Sequence, residues 1–536
     1  MKTPCDEAVM RSAGAEAPCK PDAKLWILTA AILGSSLAFI DGTVVNVALP
    51  AIQSNFHATV VDVQWVVESY GLFLGALILV GGALGDLFGR RLIFVMGVGI
   101  FALASVVCGA ASSIDLLNIA RSIQGVGAAL LVPGSLAIIS SSFDERSRGQ
   151  AIGTWSGFTA ITTAIGPVLG GWLVQHGSWR WVFLINLPIA AAVIAISLWR
   201  IPESRRAGAG RIDWIGAVLA TIGLGGLIVG FLESVNWGWR NPLVSGSLIV
   251  GFGCLAAFVL VEGKVDSPMV PLALFKSRSF SGANLLTLFL YAAIGIFFFL
   301  FPMNLIQVQR YSSTAAGAAV LPLILLLFFL SRWSGGLVAR YGERGPLIIG
   351  PLIAALGFVL FAVPSVGDNY WKAFFPAIVV LGFGMAVTVA PLTTSVMNSV
   401  TEDRVGSASG INNAVARVAG VLAIAVFGIV MVKAFSLHLN HNLAHFSLPA
   451  GVLHEIQAEE TKLAGLQVPS GLEDGTQAAV AQSIGNAFVF GYRIVMFLCA
   501  LLGVASAVAA WWIMPRNGGG EPRTETFGLT DFHNAR

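Results

Sequence analysis

Charge is the scarcest feature of this chain. Only 11% of its 536 residues are Asp, Glu, Lys or Arg, against about 25% in an ordinary soluble domain. So few polar side chains cannot coat a soluble globule, which excludes a soluble enzyme. Disorder is excluded by the same balance, because 56% of the residues are hydrophobic. Neither sign of charge dominates: the net charge is +3, so there is no nucleic-acid footprint. Cysteine is sparse as well. Cys108, Cys254 and Cys499 lie in apolar runs, and Cys5 and Cys19 in a polar N-terminal tail. Their spacing fits no metal site, and no structural disulfide is expected. The phosphate-binding pattern Gly-x-x-x-x-Gly-Lys-Ser/Thr is missing, so ATP-driven pumping is unsupported. No paired nucleophile and base recurs in the apolar runs, so neither an enzyme nor a cofactor is implied.

What the chain has in abundance is long apolar runs. A membrane span needs roughly 20 mostly apolar residues. That ruler gives fourteen spans, near 25–47, 64–85, 92–111, 115–140, 149–174, 180–199, 213–233, 243–262, 280–305, 314–338, 346–364, 372–397, 408–433 and 487–514. Strand-type alternation is absent, which leaves helices as the spanning element. The first run is too long for a signal-peptide core and no cleavage site follows it, so it reads as a retained helix. The fold class expected is an all-α membrane protein.

Lys and Arg set the expected orientation. With both termini in the cytoplasm, 22 of the 31 basic residues fall on the cytoplasmic side, six outside and three within spans. The three are Arg121, Arg417 and Arg493. One outer loop is long and polar, residues 434–486. It holds His438, His441, His445 and His454, four of the seven histidines. A zinc or copper site is conceivable there, but no Cys joins them. An amphipathic extension of helix 13 is the favoured reading, and no metal is assigned.

The chain repeats itself. Gly82-Ala-Leu-Gly-Asp86-Leu-Phe-Gly89-Arg90-Arg91 closes helix 2, and a fainter copy, Gly335 to Arg344, closes helix 10. Gly82, Leu84, Gly89 and Arg91 match Gly335, Leu337, Gly342 and Arg344, whereas Asp86 meets Ala339. Helix 2 matching helix 10 implies two six-helix bundles and a two-helix insert. The expected organisation is a tail at 1–24, bundle one at 25–199, a linker with helices 7 and 8 at 200–265, bundle two at 266–514 and a tail at 515–536. Two related bundles suggest a mid-membrane cavity opened to alternate sides by rocking.

Four more segments accompany that loop. Helix 1 carries Ile40-Asp41-Gly-Thr-Val-Val-Asn46-Val-Ala-Leu-Pro50, and helix 4 Arg121-Ser-Ile-Gln124-Gly-Val-Gly-Ala-Ala129. Helix 5 carries Gly157 and then Gly166-Pro167-Val-Leu-Gly170-Gly171, followed by Ser178 to Pro188. Together and in this order they make the chain resemble the major facilitator superfamily, in its fourteen-helix drug:proton antiporter branch, over about residues 25 to 514. The resemblance implies a conformational latch at Gly82, Asp86, Gly89, Arg90 and Arg91, linking helices 2, 3 and 11. It implies an antiport role for the helix 5 motif at Gly157, Gly166, Pro167, Gly170 and Gly171. It also implies that Arg121 takes part in proton coupling by relaying to Asp41 or Gln124.

The residues carry their own arguments. Asp41 lies in the outer half of helix 1, where a charge costs at least about 2.5–3.5 kcal/mol, so its retention fits a group that loads and releases protons. The plain alternative is a helix-end acid facing water. Glu68 on helix 2 is the second candidate, either sharing a cavity with Asp41 or sitting at the interface. Buried Arg121 needs a carboxylate or several carbonyls. The helix 5 glycines let backbones approach closely, and Pro167 removes a helical hydrogen bond. Tyr70, Gln124, Tyr291, Phe298 and Asn304 are weaker candidates for a substrate cavity. The run Phe297, Phe298, Phe299 and Phe301 covers all faces of helix 9, so most of it is expected to meet lipid. Asn412, Asn413 and Asn486 are candidate partners for Arg417 and Arg493.

The function expected is proton-driven efflux of lipophilic drugs or toxic compounds across the cytoplasmic (inner) membrane. A dedicated exporter of one endogenous metabolite is the alternative; a receptor or scaffold is disfavoured by the short tails. Protons, a lipophilic small molecule and membrane lipid are the expected partners, with no nucleic acid. Some fourteen-helix exporters of Gram-negative cells also use a periplasmic adaptor and outer-membrane channel.

Overall fold

A computed structural model describes residues 21–515, apart from 144, 206–212, 267, 401–404, 447 and 469–471. Among the described residues, fourteen long helical segments, two of them broken, run back and forth in chain order. They are α1 (Pro21–Phe56), α2 (Val60–Phe88), α3 (Arg90–Ala110), α4 (Ile114–Ser142) and α5 (Glu145–His176). Then come α6 in two pieces (Trp181–Leu184 and Asn186–Arg200), α7 (Trp214–Trp237), α8 (Pro242–Glu262) and α9 (Arg278–Met303). The last are α10, also in two pieces (Ser313–Ala318 and Leu321–Tyr341), α11 (Arg344–Phe361), α12 (Tyr370–Asn398), α13 (Val405–Leu443) and α14 (Asp474–Ile513). Among the described residues thirteen of them are long and apolar enough to cross a membrane. The remaining one, α5, takes its place by packing and is rich in Gly, Ser and Thr.

Local chemistry sets the boundaries that hydropathy left open. Thr59 and Asp62 form a reciprocal capping box that starts α2 three residues after α1 ends. Ser113 accepts from the Leu116 N–H at 3.2 Å and starts α4, which divides helices 3 and 4. The long polar loop is shorter than expected. α13 continues to Leu443 and α14 begins at Asp474, so the ends of 434–486 are helical. The amphipathic extension places His438 and His441 on α13 itself.

The packing repeats with an offset of eight helices. In bundle one α1 packs on α5 and α6, and α4 on α2 and α3. In bundle two α9 packs on α13 and α14, and α12 on α10 and α11. The loop copies agree in detail. Both Gly89 (φ +124°) and Gly342 (φ +74°) have the positive φ that favours glycine. Arg91 donates to the Ile201 carbonyl at the end of α6 at 3.0 Å, and Arg344 to the Trp511 carbonyl at the end of α14. A side chain at position 89 would also press on the Glu203 carboxylate. That carboxylate accepts from the Arg91 and Leu92 N–H groups, each at 3.1 Å. Gly89→Ala is therefore expected to destabilise the protein by about 1–3 kcal/mol, read as a lower thermal midpoint. Gly246→Ala, where a Cβ meets nothing within 4 Å, serves as the neutral control.

The two bundles touch along two related seams, α2 on α13 and α5 on α10. The insert lies against the first seam: α7 contacts both α2 and α13, tied by Trp65 Nε1 donating to Glu233 at 2.9 Å. α8 is largely exposed on the perimeter. At the end of the bundles opposite the termini, here the far side, the two bundles are tied together. Gln307 at the end of α9 donates to Gln53 of α1 at 2.7 Å, and Gln53 donates to the Lys462 carbonyl at 3.1 Å. The segment between α13 and α14 thus lies across both bundles, with Leu463 fully buried.

Candidate functional site

Among the described residues, Asp41 and Arg121 belong to one dense buried network, and Glu68 and Arg417 stand apart from it. The network lies inside bundle one. Arg121 on α4 donates through Nη1 to Asp41 Oδ2 on α1 at 2.5 Å and to Gln124 Oε1 at 2.6 Å. Its Nε donates to the Val66 carbonyl of α2 at 2.9 Å. Gln124 Nε2 donates to the other Asp41 oxygen at 2.9 Å, and Asn186 of α6 reaches the same oxygen at 3.3 Å. Ser105 of α3 accepts from both amides. Arg121 is 1% exposed; Asp41, Gln124 and Asn186 are 0%. Tyr70 completes the enclosure: its ring lies 4.2 Å from the guanidinium carbon, and its hydroxyl donates to the Ala38 carbonyl at 3.3 Å.

Chemically, this is a carboxylate with three donors and a guanidinium with three acceptors. A carboxylate has only acceptors to offer, and both Asp41 oxygens are engaged by donors. Breaking such a pair by removing one partner typically costs about 3–5 kcal/mol. Asp41 is therefore a buried acid inside a bundle rather than a helix-end acid in water. Asn186, Ser105 and Cys108, whose Sγ lies 3.7 Å from Gln124 Oε1, complete the site. Sequence reasoning missed all three. The only signal was a polar residue in each of two apolar spans.

Glu68 stands apart from this network. It is 0% exposed, and neither carboxylate oxygen has a hydrogen-bond partner. No hydrogen bond joins it to Asp41, and helix geometry gives the reason. Glu68 and Tyr70 are two residues apart, roughly 200° around α2, and Tyr70 takes the Arg121 side. Glu68 belongs instead to the stripe Gln64, Glu68, Gly71 and Gly75, which runs along the seam. Gln64 donates to the Ile424 carbonyl of α13 at 3.2 Å. A Cβ on Gly71 would meet Val421, and one on Gly75 would meet Val418 and Arg417.

Arg417 is the other isolated charge, on α13 and 5.8 Å from the Phe39 ring of α1. Its expected asparagine partners are engaged elsewhere. Asn412 donates to Asn284 and Thr287 of α9, and Asn413 to the Ser409 carbonyl.

The helix 5 glycines lie where backbones meet. A Cβ on Gly166 would come within 2.1 Å of Thr43 Oγ1, and one on Gly170 within 2.4 Å of Val44, both on α1. Gly171 faces the other bundle, where a Cβ would lie 2.2 Å from the Ser313 carbonyl oxygen of α10. Reciprocally, a Cβ on Gly317 would lie 2.0 Å from the Pro167 carbonyl oxygen. Gly157 is helical, and its surroundings lie outside the described residues. At the loop motif, Asp86 and Arg90 pair with each other at 2.8 Å. Arg90 also reaches the Ala137 carbonyl of α4 at 3.4 Å. These partners all lie within bundle one.

The aromatic run on α9 faces protein, not lipid. Phe297, Phe299 and Phe301 are 0% exposed. Phe297 stacks on Phe301 at 5.0 Å and packs on Phe361 at 4.8 Å. The physical reason is position: α9 is enclosed by α1, α12, α13 and α14. Phe298 and Tyr291 are half-buried in the same packing. Asn304 is buried in a π-helical turn at the end of α9, where it accepts from Gln309 at 3.3 Å.

The Major Facilitator Superfamily model matches residues 31–424. The chain belongs to that superfamily. It is 31% identical over 509 residues to multidrug resistance protein Stp of Mycobacterium tuberculosis, covering 92% of this chain and 93% of Stp. It is 30% identical to the tetracenomycin C resistance and export protein of Streptomyces glaucescens, over 90% of each chain. The lincomycin resistance protein of Streptomyces lincolnensis is 34% identical, over 78% of this chain and 88% of that one. A solved bacterial homolog to the human lysosomal transporter Spinster, inward-facing and unoccupied, shares the fold with a TM-score of 0.62. It is 17% identical over 92% of this chain and 98% of its own. As in that superfamily fold, the chain has two related bundles, and the Asp41–Arg121 network lies within the first.

Proposed function

We propose that this chain is a proton-driven exporter of lipophilic compounds in the cytoplasmic membrane, with both termini in the cytoplasm. The observation that carries the reading is the pair of buried acids. One, Asp41, is saturated with donors inside bundle one. The other, Glu68, has none and lies on a seam that rocking must open. An uncompensated carboxylate sealed from water is costly, so Glu68 holds a proton while the seam is closed. Opening the seam to the far side wets Glu68 and lets it exchange that proton. Asp41 and Arg121 form the second relay, in which a proton on Asp41 releases Arg121 to Gln124 and the Val66 carbonyl. Residues 25–199 and 266–514 are the moving bodies, and the Asp86–Arg90–Arg91 loop is the latch between states. Tyr70 and the half-buried Tyr291 and Phe298 supply the aromatic side of the cavity. The basic-residue bias supports the orientation, and the relatives named for resistance and export support the direction.

The test uses inverted vesicles with an acidic interior and a pH-sensitive dye. Several unrelated lipophilic compounds are expected to dissipate the gradient. Glu68→Gln, which fixes the protonated shape, is expected to cut that dissipation at least about tenfold while leaving compound binding intact. Unchanged coupling in this variant removes Glu68 from the mechanism. A response to one compound class alone supports the second reading, a dedicated exporter, which the lincomycin and tetracenomycin relatives favour. The segment between α13 and α14 is the surface a periplasmic adaptor would meet, and activity in vesicles without one tests whether it is needed.

A further inference from the structure

Arg493, toward the far end of α14, is one of two basic residues of the apolar runs, with Arg417, that the transport reading leaves unused. It sits on α14, and its Nη2 is braced by the α11–α12 connection. It donates there to the Val363 carbonyl at 3.2 Å, the Pro364 carbonyl at 3.1 Å and Ser365 Oγ at 2.9 Å. Its Nε is buried with no partner. No ion pair to Arg493 exists among the described residues. The nearby acid Asp368 is engaged by the Ser365 N–H at 2.7 Å. Arg493 lines a cavity of about 430 Å³ between α13, α14 and that connection. The other polar residues of its wall are Ser365, His438, Asn442, His445, Ser483 and Asn486, and no Asp or Glu lines it. The wall is thus cationic and rich in donors.

Depth identifies the kind of ligand. Arg493 precedes Ile513, the end of α14, by 20 residues, about 30 Å along a helix and so about the thickness of the hydrocarbon core. The cavity therefore lies at headgroup level on the far side. Below it, Phe497, Leu501, Val504 and Val508 are exposed along one face of α14. Phe490 forms part of the cavity wall, with the His438 ring stacked on it at 4.4 Å. A polar, cationic pocket thus continues into an apolar track.

We infer that this pocket binds the anionic headgroup of an amphiphile, a phosphate or carboxylate, with its apolar chain along α14. Arg493 supplies the charge through the N–H groups the loop leaves free, and Asn486, two turns earlier on the same helix, supplies a neutral donor. Two sources share this chemistry: a phospholipid of the far leaflet and a free amphiphilic acid.

Native mass spectrometry of the full chain in detergent tests it, with three probes added singly: dioleoylphosphatidylglycerol, laurate and zwitterionic dioleoylphosphatidylcholine. An anionic probe is expected to bind at one tight site. Asn486→Asp, nearly isosteric, places a carboxylate in the pocket and is expected to weaken that site at least about tenfold. Arg493→Gln is expected to do the same and Arg493→Lys to restore part of the binding. Loss confined to phosphatidylglycerol identifies lipid as the source, and loss confined to laurate identifies a free acid. Loss of both shows that the site reads the charge alone. Equal retention of phosphatidylcholine, or unchanged anion binding in both Asn486→Asp and Arg493→Gln, overturns the inference.

Discussion

Asp41→Asn is expected to reduce gradient-driven export to background and to lower stability by about 3–5 kcal/mol. The two effects share one cause. The variant keeps the shape of the side chain but leaves Arg121 as an uncompensated charge, 1% exposed, in the middle of bundle one. Gln124 and the Val66 carbonyl still accept from it, which limits the damage to the lost charge. The double variant Asp41→Asn with Arg121→Gln separates structure from coupling. It removes both charges and is expected to regain most of the thermal stability, because a neutral network of similar volume avoids the burial cost of ions. Export should stay at background, since no group at the site exchanges a proton. Proton-coupled export by either variant, measured in the same vesicles, would remove Asp41 from the mechanism.

Gly171→Leu is expected to abolish transport for a different reason. Its Cβ would come within 2.2 Å of the Ser313 carbonyl oxygen, and backbone of a second bundle cannot yield as a side-chain tip does. The clash exists only while α5 and α10 are together, so the bundles should fold and then fail to close on the far side. Gln53, 3% exposed in the far-side tie, reports this. A cysteine at that position should be labelled from the far side by an impermeant thiol reagent at least about tenfold faster in the Gly171→Leu background. Gly317→Leu should behave alike, because its Cβ would meet the Pro167 carbonyl oxygen across the same seam. Slow labelling together with normal transport in both would show that this seam is not a gate.

Much of this was legible in the residues. Long apolar runs mark helices because the bilayer leaves backbone groups no other partner. The loop copies at Gly89 and Gly342 mark the repeat because both chain reversals need a positive φ. The buried Arg121 announced its need for an acid, and Asp41 was the nearest candidate in kind. The partners Asn186 and Ser105 were not legible, since a single amide or hydroxyl in an apolar span carries no address. Nor was the α9 aromatic cluster. In a membrane protein a lipid-facing stripe and a bundle-facing stripe are both apolar, so periodicity does not distinguish them.

By itself, then, the sequence determined that this is a helical membrane protein with two related halves, a retained acid and base in its spans, and glycines where helix 5 must approach a neighbour. Only the tertiary structure decided which neighbour. It put Asp41 against Arg121, 80 residues away, and turned Glu68 to the opposite face of α2. It set Gly171 against the second bundle and gathered Arg493 with His438 of α13 and His445 just beyond it around one cavity. Those choices depend on how fourteen apolar cylinders pack against one another. That packing is fixed by shape and by the few polar groups that must find partners, not by hydrophobicity, which nearly every face of every helix shares.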